Sequence, residues 1–155
     1  MTEETHSKYW LDQVAEAAIK AQPEGEIIVA SGHSPSGSYH VGHLREFLTA
    51  SAVAAEINKR GRKAIHTDFV DDLDAFRKVP ANVDESFSKY IGTPLYLVPD
   101  PVGHCHSSYA DHFFEDLQLT LAKAGIEPAV VRAHEVYKAG KFTACIEASL
   151  EKLDK

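Results

Sequence analysis

An α/β fold with a three-stranded parallel sheet and flanking helices is expected from three features of this 155-residue sequence. A short continuous apolar run, Glu26 to Gly32, has the composition of a strand buried on both faces. A polar stretch rich in turn formers, His33 to Tyr39, hands over at His40 to a helical pattern. Lys63 to Val70 then reads as a second strand. Strand, loop, helix and strand over about forty-five residues make a βαβ unit with an expected right-handed crossover.

The length suits one domain over residues 1–155, since a chain of this size hides roughly 68–70% of its extended surface on folding. Hydrophobic residues make up 44% and charged residues 25%, without repeats, which excludes fibrous, collagen-like and linker classes. The longest aliphatic run, Ile27 to Ala30, falls far short of the ~20 apolar residues that span a bilayer. Glu3 and Glu4 stand where a secretory signal needs basic residues, so a cytoplasmic location without membrane contact is expected. With 16 Lys and Arg against 23 Asp and Glu, the formal charge is −7, so polynucleotide contacts must be local or supplied by another segment. Two cysteines form no disulfide framework, and Cys145, alone on a late helix, reads as a packing residue.

The elements follow in order. Trp10, Val14 and Ile19 fall near helical spacing between about Lys8 and Gln22, and Pro23 and Gly25 end this covering helix. After His40, Leu44, Phe47, Leu48 and Ala55 share one face, and Gly61 behind Lys59 and Arg60 is the stop. Beyond Pro80 come a short helix from Asp84 to Tyr90, a proline-rich segment from Thr93 to Pro101 and a histidine cluster. A helix from about Ser108 to Ala124 ends at Gly125. Glu127 to Ala133 reads as the third strand, and one helix from about Tyr137 reaches the terminus, with Lys152 and Lys155 in its last turn. In such a sheet the ligand crevice lies beyond the carboxyl ends of the strands, which gathers the 33–43 loop with Asp71, Asp72 and Asp74.

Two constellations carry chemistry. His40-Val41-Gly42-His43 sits where the first loop becomes a helix, a point whose unpaired backbone amides suit a phosphate. The two imidazoles project to one side and could stabilise charge on a nucleotide, while Gly42 lets a flat ring approach the backbone. Neither a Walker lysine motif nor GxGxxG occurs. The second constellation is Asp100, Cys105, His106 and His112, one carboxylate, one thiolate and two imidazoles suited to tetrahedral zinc. His104 could replace His106, and a histidine-rich surface loop with a buried thiol is the alternative.

The stretch ASGHSPSGSYHVGHLREFLTA resembles the HIGH signature of class I lysyl-tRNA synthetases. DDLDAFRKVP at 71–80, YIGTPL at 90–95, VPDPVGHCHSSYADHF at 98–113 and EVYKAGKF at 135–142 extend the likeness to roughly residues 9–150. The resemblance implies a HUP-type, Rossmann-like half domain: the amino-terminal part of a synthetase catalytic domain, with an irregular insertion at about 81–125 clipped by structural zinc on Asp100, Cys105, His106 and His112. It implies a lysine-tRNA ligase that forms lysyl-adenylate from lysine and ATP before transfer to tRNA(Lys). Ser36, Gly37, His40, Gly42 and His43 would contact ATP, with His40 and His43 catalytic, and Mg2+ would accompany the nucleotide. Gly32 and Ser34 fall where the family binds its amino acid. Two positions depart from the family: His43 stands where Asn is frequent, and Ser34 where Thr is usual; both keep a hydrogen-bonding group.

For the lysine ammonium, Glu46, Asp71 and Asp72 are candidate partners, each alternatively a helix-surface charge or turn residue. Arg77 and Lys78 suit phosphate or RNA, or equally surface ion pairs. The family's chains continue into further strands, a KMSKS-type loop and an anticodon-reading domain, and no KMSKS-like run occurs before Lys155. The first strand is therefore expected at an uncovered edge, open to self-association or to a second polypeptide. Two other readings stand beside the ligase: a synthetase-like binding or regulatory module without catalysis, and a small HxGH nucleotidyltransferase. The latter would need its HxGH nearer the amino terminus and a late ISS-type arginine motif, both lacking here.

Overall fold

The parallel pairing of the first two strands is read from their ends. Ile27 N–H donates to Lys63 O at 2.9 Å where the strands begin, and Asp71 N–H donates to His33 O at 2.8 Å where they finish. The computed structural model describes residues 9–153. Its elements are α1 (Trp10–Ala21), β1 (Ile27–His33), α2 (Val41–Lys59), β2 (Ala64–Val70), α3 (Tyr109–Lys123), β3 (Ala129–Arg132), α4 (Ala133–Lys138) and α5 (Thr143–Leu150). Two 3₁₀ turns, Glu85–Tyr90 and Leu95–Leu97, lie between β2 and α3. The sheet has the order β1-β2-β3. The expected helix start at Lys8 and the expected last turn with Lys155 lie outside the described residues. Among the described residues, no helix is long and apolar enough to cross a membrane.

The chain divides into two units. The first holds residues up to Ser31, Tyr39–Asp68 and Gln118–Ala129, and the second holds Gly32–Ser38, Phe69–Leu117 and the residues from Val130 onward. In the first, Ala15, Ile27, Val53, Ala54, Ile57 and Ala64 form the core, with Leu11, Ala18, Ile19 and Val29 packed against it. Arg60 ties α2 to α1 by donating to Asp12 at 2.8 Å and Glu16 at 3.1 Å while holding Glu56 at 2.8 Å on its own helix. Gly61, at φ 81°, ends α2 as expected: its N–H donates to Asn58 O and that of Arg62 to Ile57 O. In the second unit Tyr109 lies between Phe76 and Phe113, with ring centroids 5.0 and 4.8 Å away. Backbone bonds from Phe76 N–H to Thr93 O and Leu95 N–H to Asp74 O lock the irregular segment after β2 onto the proline-rich stretch.

Several local expectations are corrected. The buried side of α1 carries Leu11, Ala15, Ala18 and Ile19, at helical spacing, whereas Trp10 and Val14 of the expected face are 54% and 44% exposed. On α2 the inward face is Phe47, Ala50, Val53, Ala54 and Ile57, and Leu48 and Ala55 point outward. Strand β1 is covered on one side only: burial alternates and Ile28 is 66% exposed. The single expected last helix is two, because Gly140 takes φ 67° and closes α4, with Gly140 N–H on Tyr137 O and Lys141 N–H on Val136 O. Cys145 is exposed on α5 instead of packed inside.

Ile57 is fully buried in the core of the first unit. Its replacement by Ala is expected to cost about 2–5 kcal/mol, read as a lower midpoint at unchanged slope in urea unfolding.

Candidate functional site

The helix start of the first unit is closed by its own histidines. His40 is the N-cap of α2, and its Nδ1 accepts the Gly42 N–H at 3.1 Å. His43 Nδ1 in turn accepts the His40 N–H at 3.2 Å, completing a reciprocal capping box. An Nδ1 that accepts an amide hydrogen carries no hydrogen itself, so each neutral ring bears its hydrogen on Nε2. The pair therefore holds two Nε2–H donors, with ring centroids 4.1 Å apart. Tyr39 sets the second ring from the side, edge-on at 5.1 Å. The expectation of unpaired amides is corrected here: the rings take two of them, and His43 and Leu44 N–H bond back to His40 O. Gly42 makes the arrangement feasible, since a Cβ there would lie 2.8 Å from His40 Cε1 and 2.9 Å from its Nδ1.

In the second unit the 32–38 segment borders a hollow of about 330 Å³ lined by Ser34, Ser36, Asp74, Phe76, Arg77 and Lys78. Ser34 Oγ is buried without a hydrogen-bond partner among the described residues, so a ligand donor or acceptor suits it. Ser36 O accepts the Tyr109 hydroxyl hydrogen at 3.0 Å, and burial pushes that phenol's pKa up to about 12, keeping it a donor. Gly37 passes Pro80, 3.6 Å from where a Cβ would stand, and Gly32 runs close to Phe69 O in the same way, at 3.4 Å. Arg77 lies 3.5 Å from Asp74, on the hollow's rim.

The candidate carboxylates differ in surroundings. Asp72 is fully buried and saturated: Arg132 Nε at 2.6 Å and His134 Nδ1 at 2.5 Å meet Oδ2, and His134 N–H meets Oδ1 at 2.9 Å. Arg132 reaches on to Asp111 at 2.9 Å. Burial works against the Arg132 charge, but its bonds to both carboxylates raise its pKa on balance. Asp71, half-buried next door, has its pKa raised by burial and then by the charges of Asp74 and Asp72. Glu46 is exposed on α2, in the first unit.

Asp100, Cys105, His106 and His112 bring one donor atom each within 4.8 Å of one another. Cys105 Sγ stands 3.1 Å from Asp100 Oδ2 and 3.9 Å from His112 Nδ1. His112 Nδ1 lies 3.2 Å from both His106 Nδ1 and Asp100 Oδ1. Tetrahedral zinc with these ligands has donor–donor edges of roughly 3.3–3.7 Å, so the set fits a metal with little movement. His106, not His104, belongs to it. Asp100 also organises the loop by accepting the N–H groups of Val102, Cys105 and His106. Burial opposes its charge, yet these bonds hold it well below the usual carboxylate range. Its hydrogen bond pushes the Cys105 thiol up, followed by burial. His106 Nε2 meets Glu115, the outer contact that orients a metal-ligating imidazole.

Tyr109, Arg132 and His134 escape a reading of the sequence because Ser36 and Asp72, their partners, lie far along the chain. Asp111 and Glu115 have near neighbours for partners and escape it because a polar residue on a helix carries no distinctive pattern. The one available signal is Arg132, a charge at the end of an apolar strand. A further, partly buried set belongs to the first unit: Ser31 Oγ donates to Asp68 Oδ1 at 3.1 Å and accepts from His66 Nε2 at 2.9 Å. Burial lowers the His66 pKa against the pull of Asp68.

The family model described as class I tRNA synthetases (K) matches residues 8–155. A lysine-tRNA ligase of Thermococcus kodakarensis is 42% identical over 147 residues, covering 94% of this chain and 28% of that protein. A lysine-tRNA ligase of Methanosarcina barkeri is 38% identical over 146 residues, 94% of the chain and 27% of the relative. One from Streptomyces coelicolor is 39% identical over 139 residues, 88% and 24%. The chain thus spans 28% or less of the length of these curated relatives.

Replacing Gly42 with Ala is expected to push His40 from its cap and cost about 1 kcal/mol of stability. Long-range 1H–15N spectra should show both rings as Nε2–H in the unaltered chain and lose that signature for His40 in the variant. Identical spectra would mean that the ring does not cap the helix.

Proposed function

The chain belongs to the class I (K) tRNA synthetase family, and on that premise we propose that it supplies the ATP- and lysine-binding part of a lysine-tRNA ligase. The observation that carries this is the reciprocal cap of His40 and His43 across Gly42, which leaves each neutral ring with an Nε2–H donor. In adenylate formation a lysine carboxylate oxygen attacks the α-phosphorus of ATP and pyrophosphate leaves. Charge grows on the phosphate oxygens, where donors fixed beforehand act without reorganising. His40 and His43 fill that role, Gly42 allows the approach, and Ser36 and Gly37 add backbone contacts to the nucleotide. Mg2+ enters with the phosphates.

For the amino acid, Gly32 and Ser34 contact the substrate, a role supported by the buried Ser34 hydroxyl. Among Glu46, Asp71 and Asp72, Asp71 suits the ammonium best: Asp72 is already committed to Arg132 and His134, and a cation beside Asp71 would offset the neighbours that raise its pKa. Zinc is the metal we assign to Asp100, Cys105, His106 and His112, in a structural role supported by four protein ligands of that chemistry. tRNA(Lys) is the acceptor of the whole ligase. Strand β1, at one end of the sheet order, suits pairing with a second polypeptide or another copy.

Lysine-dependent exchange of label between pyrophosphate and ATP tests the reading directly. Exchange should appear with lysine and fall about 100-fold or more when His40 and His43 are both Ala, the scale of losing transition-state donors. ATP binding without exchange would favour the binding-module reading, and exchange with pantetheine phosphate in place of lysine would favour the nucleotidyltransferase. For the metal, elemental analysis of protein purified with zinc present should return about one ion per chain, and Cys105→Ser should bind it far more weakly.

A further inference from the structure

Helix α3 begins inside the metal-ligating group. Cys105 and His106 precede its first residue and His112 lies in its first turn. Ser107 and Ser108 close that turn by donating to Asp111 Oδ2, the Ser108 bond at 2.9 Å. Tyr109 N–H donates to Val98 O at 2.8 Å, so the segment that carries the ligands returns on itself two residues ahead of Asp100. The same turn sends one side chain away from the ligands. Tyr109, fully buried against Phe76 and Phe113, donates its hydroxyl hydrogen to Ser36 O, the carbonyl of a residue that lines the hollow. Gly37 runs past that same hydroxyl, which stands 4.0 Å from where a Cβ would be.

We propose that Tyr109 is a positioning residue: metal binding sets the first turn of α3, and the Tyr109 hydroxyl passes that setting to the 34–37 loop. The inference rests on the zinc and ATP assignments, and it adds a function for the metal beyond closing its own loop. Residues 101–108 have no helix or strand, and the Asp100 carboxylate holds only three of their amides, so a four-ligand metal would remove freedom that these bonds leave. The turn that follows inherits that order directly. The loop at 34–37 has no regular structure either, and the phenol hydroxyl is a side-chain donor that reaches its backbone.

Hydrogen–deuterium exchange on the 155-residue chain, read in the peptides 33–38 and 101–108, tests this with Zn2+ added and after EDTA. In the unaltered chain, zinc removal should speed exchange in both peptides and weaken ATP binding about two- to ten-fold, the scale of one neutral hydrogen bond. Tyr109→Phe keeps the ring and loses only the hydroxyl. It should still bind zinc and protect 101–108, while 33–38 exchanges equally fast with and without zinc and ATP affinity no longer responds to the metal. A chain that binds zinc yet leaves 33–38 unmoved overturns the coupling and spares the zinc assignment; a chain that takes up no zinc overturns both. A Tyr109→Phe protein whose 33–38 peptide still follows zinc removes Tyr109 as the carrier. The comparison on the unaltered chain decides the coupling even where the variant is too unstable to purify, and failure of ATP to bind at all rejects the nucleotide reading while the exchange data still judge the loop.

Discussion

Two imidazoles close the amino end of α2, and that closure governs what either can offer a ligand. An aspartate cap would satisfy the same amides, but its carboxylate oxygens only accept and would have no hydrogen to donate. An imidazole has a second nitrogen. When Nδ1 is spent on the backbone, the hydrogen sits on Nε2, so the cap itself selects the tautomer that donates. The rings can lie this close to the chain only because residue 42 lacks a Cβ. Helix capping, tautomer choice and donor placement are thus a single local event, and it needs no more than four consecutive residues.

The second unit solves a different problem. It sets a half-buried arginine between two aspartates, an arrangement that is costly if any partner is missing. Asp72 receives Arg132 and both donors of His134, while Asp111 receives the far side of Arg132 and is held by Ser107 and Ser108. His134 is flattened on Tyr96, with ring centroids 4.5 Å apart and planes within 5°, and Lys138 lies over the Tyr96 ring. Such a network contributes geometry more than stability. It holds the chain just after β2 against the start of α4, and beside it burial and the charges of Asp74 and Asp72 raise the Asp71 pKa.

Between β2 and α3 the chain has little regular structure, and two devices replace it. Backbone bonds join residues 72–76 to 92–96, and Asp100 gathers the amides of the ligand loop around one buried carboxylate. The donor atoms of Cys105, His106 and His112 then face that carboxylate at distances close to the edges of a coordination tetrahedron. Asp100 serves the fold with its lone pairs before any metal does, which explains why the loop has a defined shape at all.

The βαβ unit and the stop at Gly61 are legible because each depends on neighbours within a few turns of chain, and the closeness of Asp100, Cys105, His106 and His112 follows from their lying within one short stretch. Amphipathic faces were legible less well: Trp10 and Leu48 point outward, since which apolar stripe is buried depends on the width of the space facing it. The break at Gly140 leaves no mark in a continuous helical pattern, as a single left-handed residue leaves periodicity on both sides intact. What the sequence determined by itself is local chemistry, namely turns, caps, ligand types and the glycine that lets a ring approach. Only the tertiary structure decided which carboxylates are already committed and which loops are held. Asp72 meets its partners 60 and 62 residues away and Tyr109 meets Ser36 across 73, separations at which pairing depends on the packed fold and leaves no periodic trace in the chain.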